Sequence, residues 1–310
     1  MKNKILDLIV VISFIILLFS ILINNVLVFD VISYSLNIWV NNLIPSMFPF
    51  FVISDILINY NISYYIPNFI TNIFGYIFNV NKTSITIFFL SLISGFPTGS
   101  RIIRTYYDKG FLSLEEANHI LLFTHFSNPM FILSTVGIIF LNNKEYGYII
   151  LISHYLGNFI IGFLLRNYSK VTILNYTKEK KVCQSFSKIL INSINSSINT
   201  LLLILGILTS FLVFSSFITL FLDLPLYNSA ILMGILELTM GLKSFSLLEI
   251  SDIYKVVFST MIISFGGLAV HLQVISQLVD TEIRYSNFFI ARIYHAIISG
   301  GISYLLFIFI

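Results

Sequence analysis

The chain has 310 residues, of which 57% are hydrophobic and only 10% charged, with a mean hydropathy of +0.94. A soluble fold of this size cannot hide so much apolar surface, so the composition excludes an ordinary soluble domain and points to the lipid bilayer as solvent. The formal net charge of +3 is small and scattered, which gives no footing for a nucleic-acid partner, and the lone Cys183 excludes an intramolecular disulfide and a cysteine metal site.

Lys2 and Lys4 precede an apolar run from Ile9 to Leu22 that continues through Ile23-Asn24-Asn25-Val26. The run is long and has no small-residue cleavage pattern, so residues 1–30 read as a retained membrane helix and not a cleaved signal. A span needs about 20 mostly apolar residues. Segments 7–28, 146–166, 200–222 and 288–310 meet that length without interruption. Others are apolar but interrupted: 31–59 by Pro45 and Pro49, 66–80 by Gly75, 84–107 by Gly95-Phe96-Pro97, 116–141 by Asn128-Pro129, 226–242, and 253–279 by Gly266-Gly267. The expected fold is an all-α polytopic membrane helix bundle with broken or re-entrant helices, about eight to ten membrane elements in all.

The most polar connection, 168–188, carries Lys170, Lys178, Lys180, Lys181 and Lys188 against Glu179, which makes it a basic cytoplasmic loop. Lys2 and Lys4 place the N-terminus on the same side, so an even number of crossings separates the two. The loop divides the membrane part into 31–167 and 189–310. Both parts hold a similar device. Ile93-Ser94-Gly95-Phe96-Pro97-Thr98-Gly99-Ser100 leads to Arg101, and Ile263-Ser264-Phe265-Gly266-Gly267-Leu268-Ala269-Val270 leads to His271. Each is an apolar run, a serine with a glycine break, then a basic side chain, the pattern of an internal repeat whose broken helices meet near the membrane midplane.

Glycine and proline inside a membrane helix free backbone groups that hydrocarbon cannot satisfy, so such breaks persist only against protein or water. A half-helix beginning at a break turns free N–H groups and the positive end of its dipole to whatever lies there, which suits an anion. The candidate solute-binding residues at the first break are therefore Ser94, Gly95, Pro97, Thr98, Gly99, Ser100 and Arg101. Pro97 suits a helix start, and the hydroxyls and the guanidinium supply donors. Arg101 and Arg104 share a helix face. The competing reading puts both at the interface on lipid phosphate, because Tyr106, Tyr107 and Asp108 follow.

A polar stripe through 118–128 adds His125, Ser127 and Asn128, as a hydrogen-bonding or proton-linked group or as glue between helices. His119 and His125 are six apart, so no metal ligand pair forms on one helix face, and neither a metal nor another cofactor is expected. Glu237 is an ionisable residue inside an apolar segment, either protonated or paired with Lys243, Arg101 or His271. Gly266, Gly267, His271 and Gln273 complete the set of candidates for the same cavity. Arg292 and His295 share a face of the last helix, either snorkelling at the surface or turned inward. No Walker glycine loop or Gly-x-Ser-x-Gly elbow occurs, so an enzyme is not expected.

Taken in order, Ile44-Pro45-Ser46-Met47-Phe48-Pro49-Phe50, Ser94-Gly95-Phe96-Pro97-Thr98-Gly99, Thr124-His125-Phe126-Ser127-Asn128-Pro129, Glu237-Leu238-Thr239-Met240-Gly241 and Ser264-Phe265-Gly266-Gly267-Leu268-Ala269-Val270-His271-Leu272-Gln273 resemble the YlbJ family of sporulation integral membrane proteins. Ile283-Arg284-Tyr285 and Phe289-Ile290-Ala291-Arg292-Ile293-Tyr294-His295-Ala296 continue the likeness, which runs from about residue 36 to 296. Phe96 stands where many members carry tyrosine. The family belongs with the nucleoside-recognition or Gate-domain membrane proteins, so the resemblance implies Gate-like repeats at 31–167 and 189–310. It also implies a spore-forming Gram-positive bacterium and a forespore-surrounding membrane of that cell. The role implied is movement of a small anionic solute, dipicolinate, around the spore-cortex stage. The alternative is a membrane scaffold for cortex assembly without transport. Expected partners are the lipid bilayer, the solute, and either further copies of the chain or other sporulation membrane proteins.

Overall fold

The computed structural model describes residues 4–169 and 185–309, and among these all regular structure is helical. The polar loop expected at 168–188 therefore falls largely outside the described residues, as do Lys2 and Cys183.

Helix α1 (Lys4–Ile23) turns at Asn24 into α2 (Asn25–Ile38), and from Leu8 to Ile23 α1 leaves most of its large apolar side chains exposed, as a helix bathed in lipid does. A π-helical turn at Trp39–Leu43 carries α2 into α3 (Ile44–Asn59). Residues Asn25–Asn59 thus form one apolar rod of 35 residues, where the two prolines led us to expect an interruption. Pro45 follows the wide π-helical turn directly and Pro49 lies inside α3, and the rod continues through both.

Helix α4 (Asn68–Phe78) meets α5 (Lys82–Ser94) at 92°, so the segment expected around Gly75 lies across the next helix instead of continuing it. Asn79, in the left-handed conformation, ends α4, and the Asn81 side chain caps α5 by accepting from Ser84 N. After Gly95-Phe96-Pro97 come α6 (Thr98–Asp108) and α7 (Leu114–Leu121). A capping box of Ser113 and Glu116 sets the start of α7. The chain is then non-helical over residues 124–128, becomes π-helical over Phe131–Phe140, and enters α8 (Lys144–Leu164).

The second part repeats this order of shapes. A 37-residue rod, α9 (Phe186–Leu222), precedes two broken helices: α10 (Leu226–Leu236) and α11 (Leu238–Ser246) flank Glu237, and α12 (Asp252–Phe265) and α13 (Gly267–Leu278) flank Gly266. Helix α14 (Tyr285–Phe309) closes the chain. The two long rods lie against each other, while α14 packs on α8 and α12. Among the described residues, five segments are long and apolar enough to cross a membrane, namely Asn25–Asn59, Lys144–Leu164, Phe186–Leu222, Asp252–Leu278 and Tyr285–Phe309, and the bent α4–α5 pair would make a sixth. The chain is an all-α polytopic membrane protein.

Candidate functional site

The four breaks lie against one another. At Gly95 (φ +78°) a Cβ would sit 2.7 Å from Asn128 N, and at Gly99 it would sit 2.5 Å from Thr124 O, so α5 and α6 close onto the 124–128 stretch with no room for a side chain. Asn128 fastens that contact. Its Nδ2 donates to Ser46 O at 2.8 Å and its Oδ1 accepts from Met130 N at 2.8 Å, which joins the second break to α3. On the other side, Gly266 approaches His125 Nε2, with 3.2 Å left for a Cβ, and Gly267 approaches Leu238 N, with 3.0 Å. Phe96 stacks on the His125 ring at 4.7 Å, and Phe288 meets that ring edge-on at 5.0 Å. Apolar stacking is thus what a phenylalanine at position 96 supplies.

A cavity of about 30 Å³ opens where the breaks meet, with Met47, Phe96, Glu237, Thr239, Val270 and Gln273 in its wall. That is room for one or two water molecules. Among the described residues, Glu237 is the only ionisable one in the wall. Its extended backbone ends α10, and its carboxylate turns back to cap α11, accepting from Thr239 N at 2.9 Å and Met240 N at 2.7 Å. None of the three side chains named as its partners pairs with it. Lys243 Nζ lies over the Tyr34 ring at 4.2 Å, Arg101 is engaged elsewhere, and His271 binds Phe265 O through Nε2 (3.0 Å) and the Tyr285 hydroxyl through Nδ1 (2.9 Å).

Arg101 is buried, outside the cavity wall, and already holds an anion. It donates to Asp55 Oδ1 at 2.7 Å, to the Ser196 and Thr200 hydroxyls at 3.1 and 3.3 Å, and lies over the Phe51 ring at 5.5 Å. Helix α6 is thereby tied to both long rods. Arg104, three residues on, faces Asp108 and the carbonyls of Gln277 and Val279, so the two arginines work apart. Of the remaining candidates, Ser94 binds Ser54 at 2.6 Å, Ser100 donates to Pro97 O, and the hydroxyls of Thr98 and Ser127 are buried without partners among the described residues.

A second polar group centres on Arg292, which is wholly buried and has no carboxylate beside it among the described residues. The guanidinium donates to Leu122 O, to Asn158 Oδ1 at 3.0 Å and to His295 Nδ1 at 2.9 Å. Asn158 Nδ2 donates to His125 O at 2.8 Å. His154 Nε2 accepts from Ser127 N at 2.9 Å, which leaves its Nδ1–H for the Ser264 hydroxyl at 2.9 Å. Arg292 and His295 therefore turn inward. His154 and Asn158 were not singled out in the sequence, although they stand four apart on one face of an apolar helix.

The fold and these contacts define a helical membrane protein whose broken helices meet in its interior around buried ionisable groups. The chain is similar to the sporulation integral membrane protein YlbJ of Bacillus subtilis (strain 168), at 28% identity over 306 residues, covering 86% of this chain and 74% of that protein. This similarity points the same way as the resemblance read from the ordered motifs. No family model and no solved structure matches it.

Proposed function

We propose that the chain is a permease for a small carboxylate-bearing solute, dipicolinate being the first candidate, in a membrane around the developing spore. The observation that carries this reading is the meeting of four chain breaks at a cavity walled by Glu237, Thr239 and Gln273. Freed backbone groups at membrane depth belong where a polar solute passes. The parallel order of elements in 31–167 and 189–310 suits two Gate-like repeats that frame the site. A cavity of about 30 Å³ does not admit an aromatic dicarboxylate, so the conformation described is a closed one, and entry needs the breaks to separate.

The test is uptake of labelled dipicolinate by proteoliposomes carrying the purified chain, with nucleosides and other small anions as competitors. Saturable uptake supports the permease. A scaffold for cortex assembly is the second reading, favoured by the Arg101–Asp55 pair, which leaves Arg101 no free charge for a solute. Absence of uptake of every solute by folded protein, under imposed proton and sodium gradients, would decide for it.

A further inference from the structure

Of the four helical stretches that follow a break, the one after Asn128 is capped by a neutral amide, Asn128 Oδ1 accepting from Met130 N, and the other three are α6, α11 and α13. Neither Pro97 before α6 nor Gly266 before α13 offers a side-chain cap. Of these three, α11 alone carries one, and the cap is the carboxylate of Glu237, laid on the N–H groups of Thr239 and Met240 at the positive end of the helix. A second feature of the same place points to a ligand. Gln273 is 6% exposed, reaches the cavity, and its side-chain amide has no hydrogen-bond partner among the described residues. An unpaired amide donor beside a capped helix end is what a second carboxylate oxygen would require.

On the permease reading, we propose that Glu237 is a tethered stand-in for the solute's carboxylate, which displaces it from Thr239 N and Met240 N while Glu237 takes up one proton. The solute carboxylate then accepts from the two backbone N–H groups and from the Gln273 amide. One carboxylate replaces another at the end of α11, and the proton drawn from the aqueous phase rests on a Glu237 oxygen. Without that proton, two carboxylates would face each other in apolar surroundings, which disfavours binding. Solute and proton therefore enter together, in a ratio of one to one.

The neighbouring groups leave this role to Glu237. From α2 comes Tyr34, with Lys243 of α11 held over its ring, and from α10 comes Tyr227, set against the Phe245 and Phe258 rings. From α13 comes His271, bound to Phe265 O and Tyr285, and from the second break comes His125, held between Phe96 and Phe288. The ionisable residues of α12 (Asp252, Tyr254, Lys255) and of α9 (Lys188) lie in their first turns, and the Phe131–Phe140 segment has none.

The experiment measures dipicolinate binding to the purified full chain between about pH 6 and about pH 8, where the carboxyls of the probe stay ionised. Wild type is expected to lose about tenfold in affinity per pH unit as the pH rises, the slope for one proton bound with the anion. Glu237→Gln, of the same shape, is expected to bind with no slope, and Gln273→Leu to bind about tenfold more weakly with the wild-type slope. Proton uptake by wild type from a weakly buffered solution, about one per dipicolinate bound, tests the idea independently of any variant. Binding with no proton uptake, or an unchanged slope in Glu237→Gln, overturns the displacement and leaves the permease standing. Failure of wild type to bind dipicolinate, benzoate or acetate overturns both.

Discussion

The Arg101–Asp55 pair joins α6, the half-helix after the first break, to α3, and the same guanidinium reaches Ser196 and Thr200 on α9. Its side chains are only 10% and 16% exposed, so removing one partner leaves a charge in poorly solvated surroundings. Loss of one member of a buried pair typically costs about 3–5 kcal/mol, and the residual exposure of Asp55 puts the expectation near the lower end, at about 3 kcal/mol for Arg101→Met. Asp55→Asn is expected to cost less, because Arg101 keeps two hydroxyls and the face of Phe51. The double variant should be less destabilised than the sum of the singles by about 2 kcal/mol, because it leaves no orphaned charge. Reversible unfolding in mixed micelles, followed by helical circular dichroism, gives all four corners of the cycle. Additivity of the two singles to within about 0.5 kcal/mol would refute the reasoning.

The same assay separates crowded glycines from free ones. At Gly241 a Cβ would fall 2.2 Å from Gly234 Cα, so Gly241→Ala should destabilise by about 1–3 kcal/mol. A Cβ at Gly206 would meet nothing within 4 Å among the described residues, and Gly206→Ala should stabilise α9 by about 0.5–1 kcal/mol. Arg292→Met leaves Leu122 O and Asn158 Oδ1 without their shared donor and should lower stability by at least about 2 kcal/mol, read from the unfolding midpoint. Ser113→Ala removes one half of the capping box and should cost about 1 kcal/mol, seen as faster amide exchange over the first turn of α7.

The breaks at 95–97, 128–129 and 266–267 were legible in the sequence because glycine and proline interrupt runs that are otherwise apolar. The continuity of 25–59 was not legible, since a π-helical turn has no composition of its own and Pro45 reads alike at a helix start and at a kink. The segment 226–242 was legible as interrupted, but not that its glutamate makes the break. Glu237 interrupts the helix by capping the next one, a role that cannot be told from a mid-helix carboxylate until the backbone is seen to be extended there. Pairing was the least legible feature. Asp55 lies 46 residues before Arg101, and nothing local marks it as the partner that occupies the proposed anion donor.

The buried charges follow one rule that explains why the breaks can lie inside a membrane at all. Arg101 meets a carboxylate directly, but Glu116, Glu237 and Arg292 are neutralised by helix ends. Glu116 sits in the first turn of α7, accepting from Ser113 N, and Glu237 sits at the N-terminus of α11. Arg292 donates to Leu122 O, just beyond the last residue of α7, where the unpaired carbonyls carry the negative end of the dipole. Helix α7 therefore lies between an anion at its start and a cation at its end. Ending a helix in the membrane exposes partial charges, and burying an ionised side chain exposes a whole one; set against each other, each removes most of the other's cost. An exchange at such a place must conserve charge, so the N-terminus of α11 can release its carboxylate only to another anion, and the carbonyls after α7 can release Arg292 only to another donor.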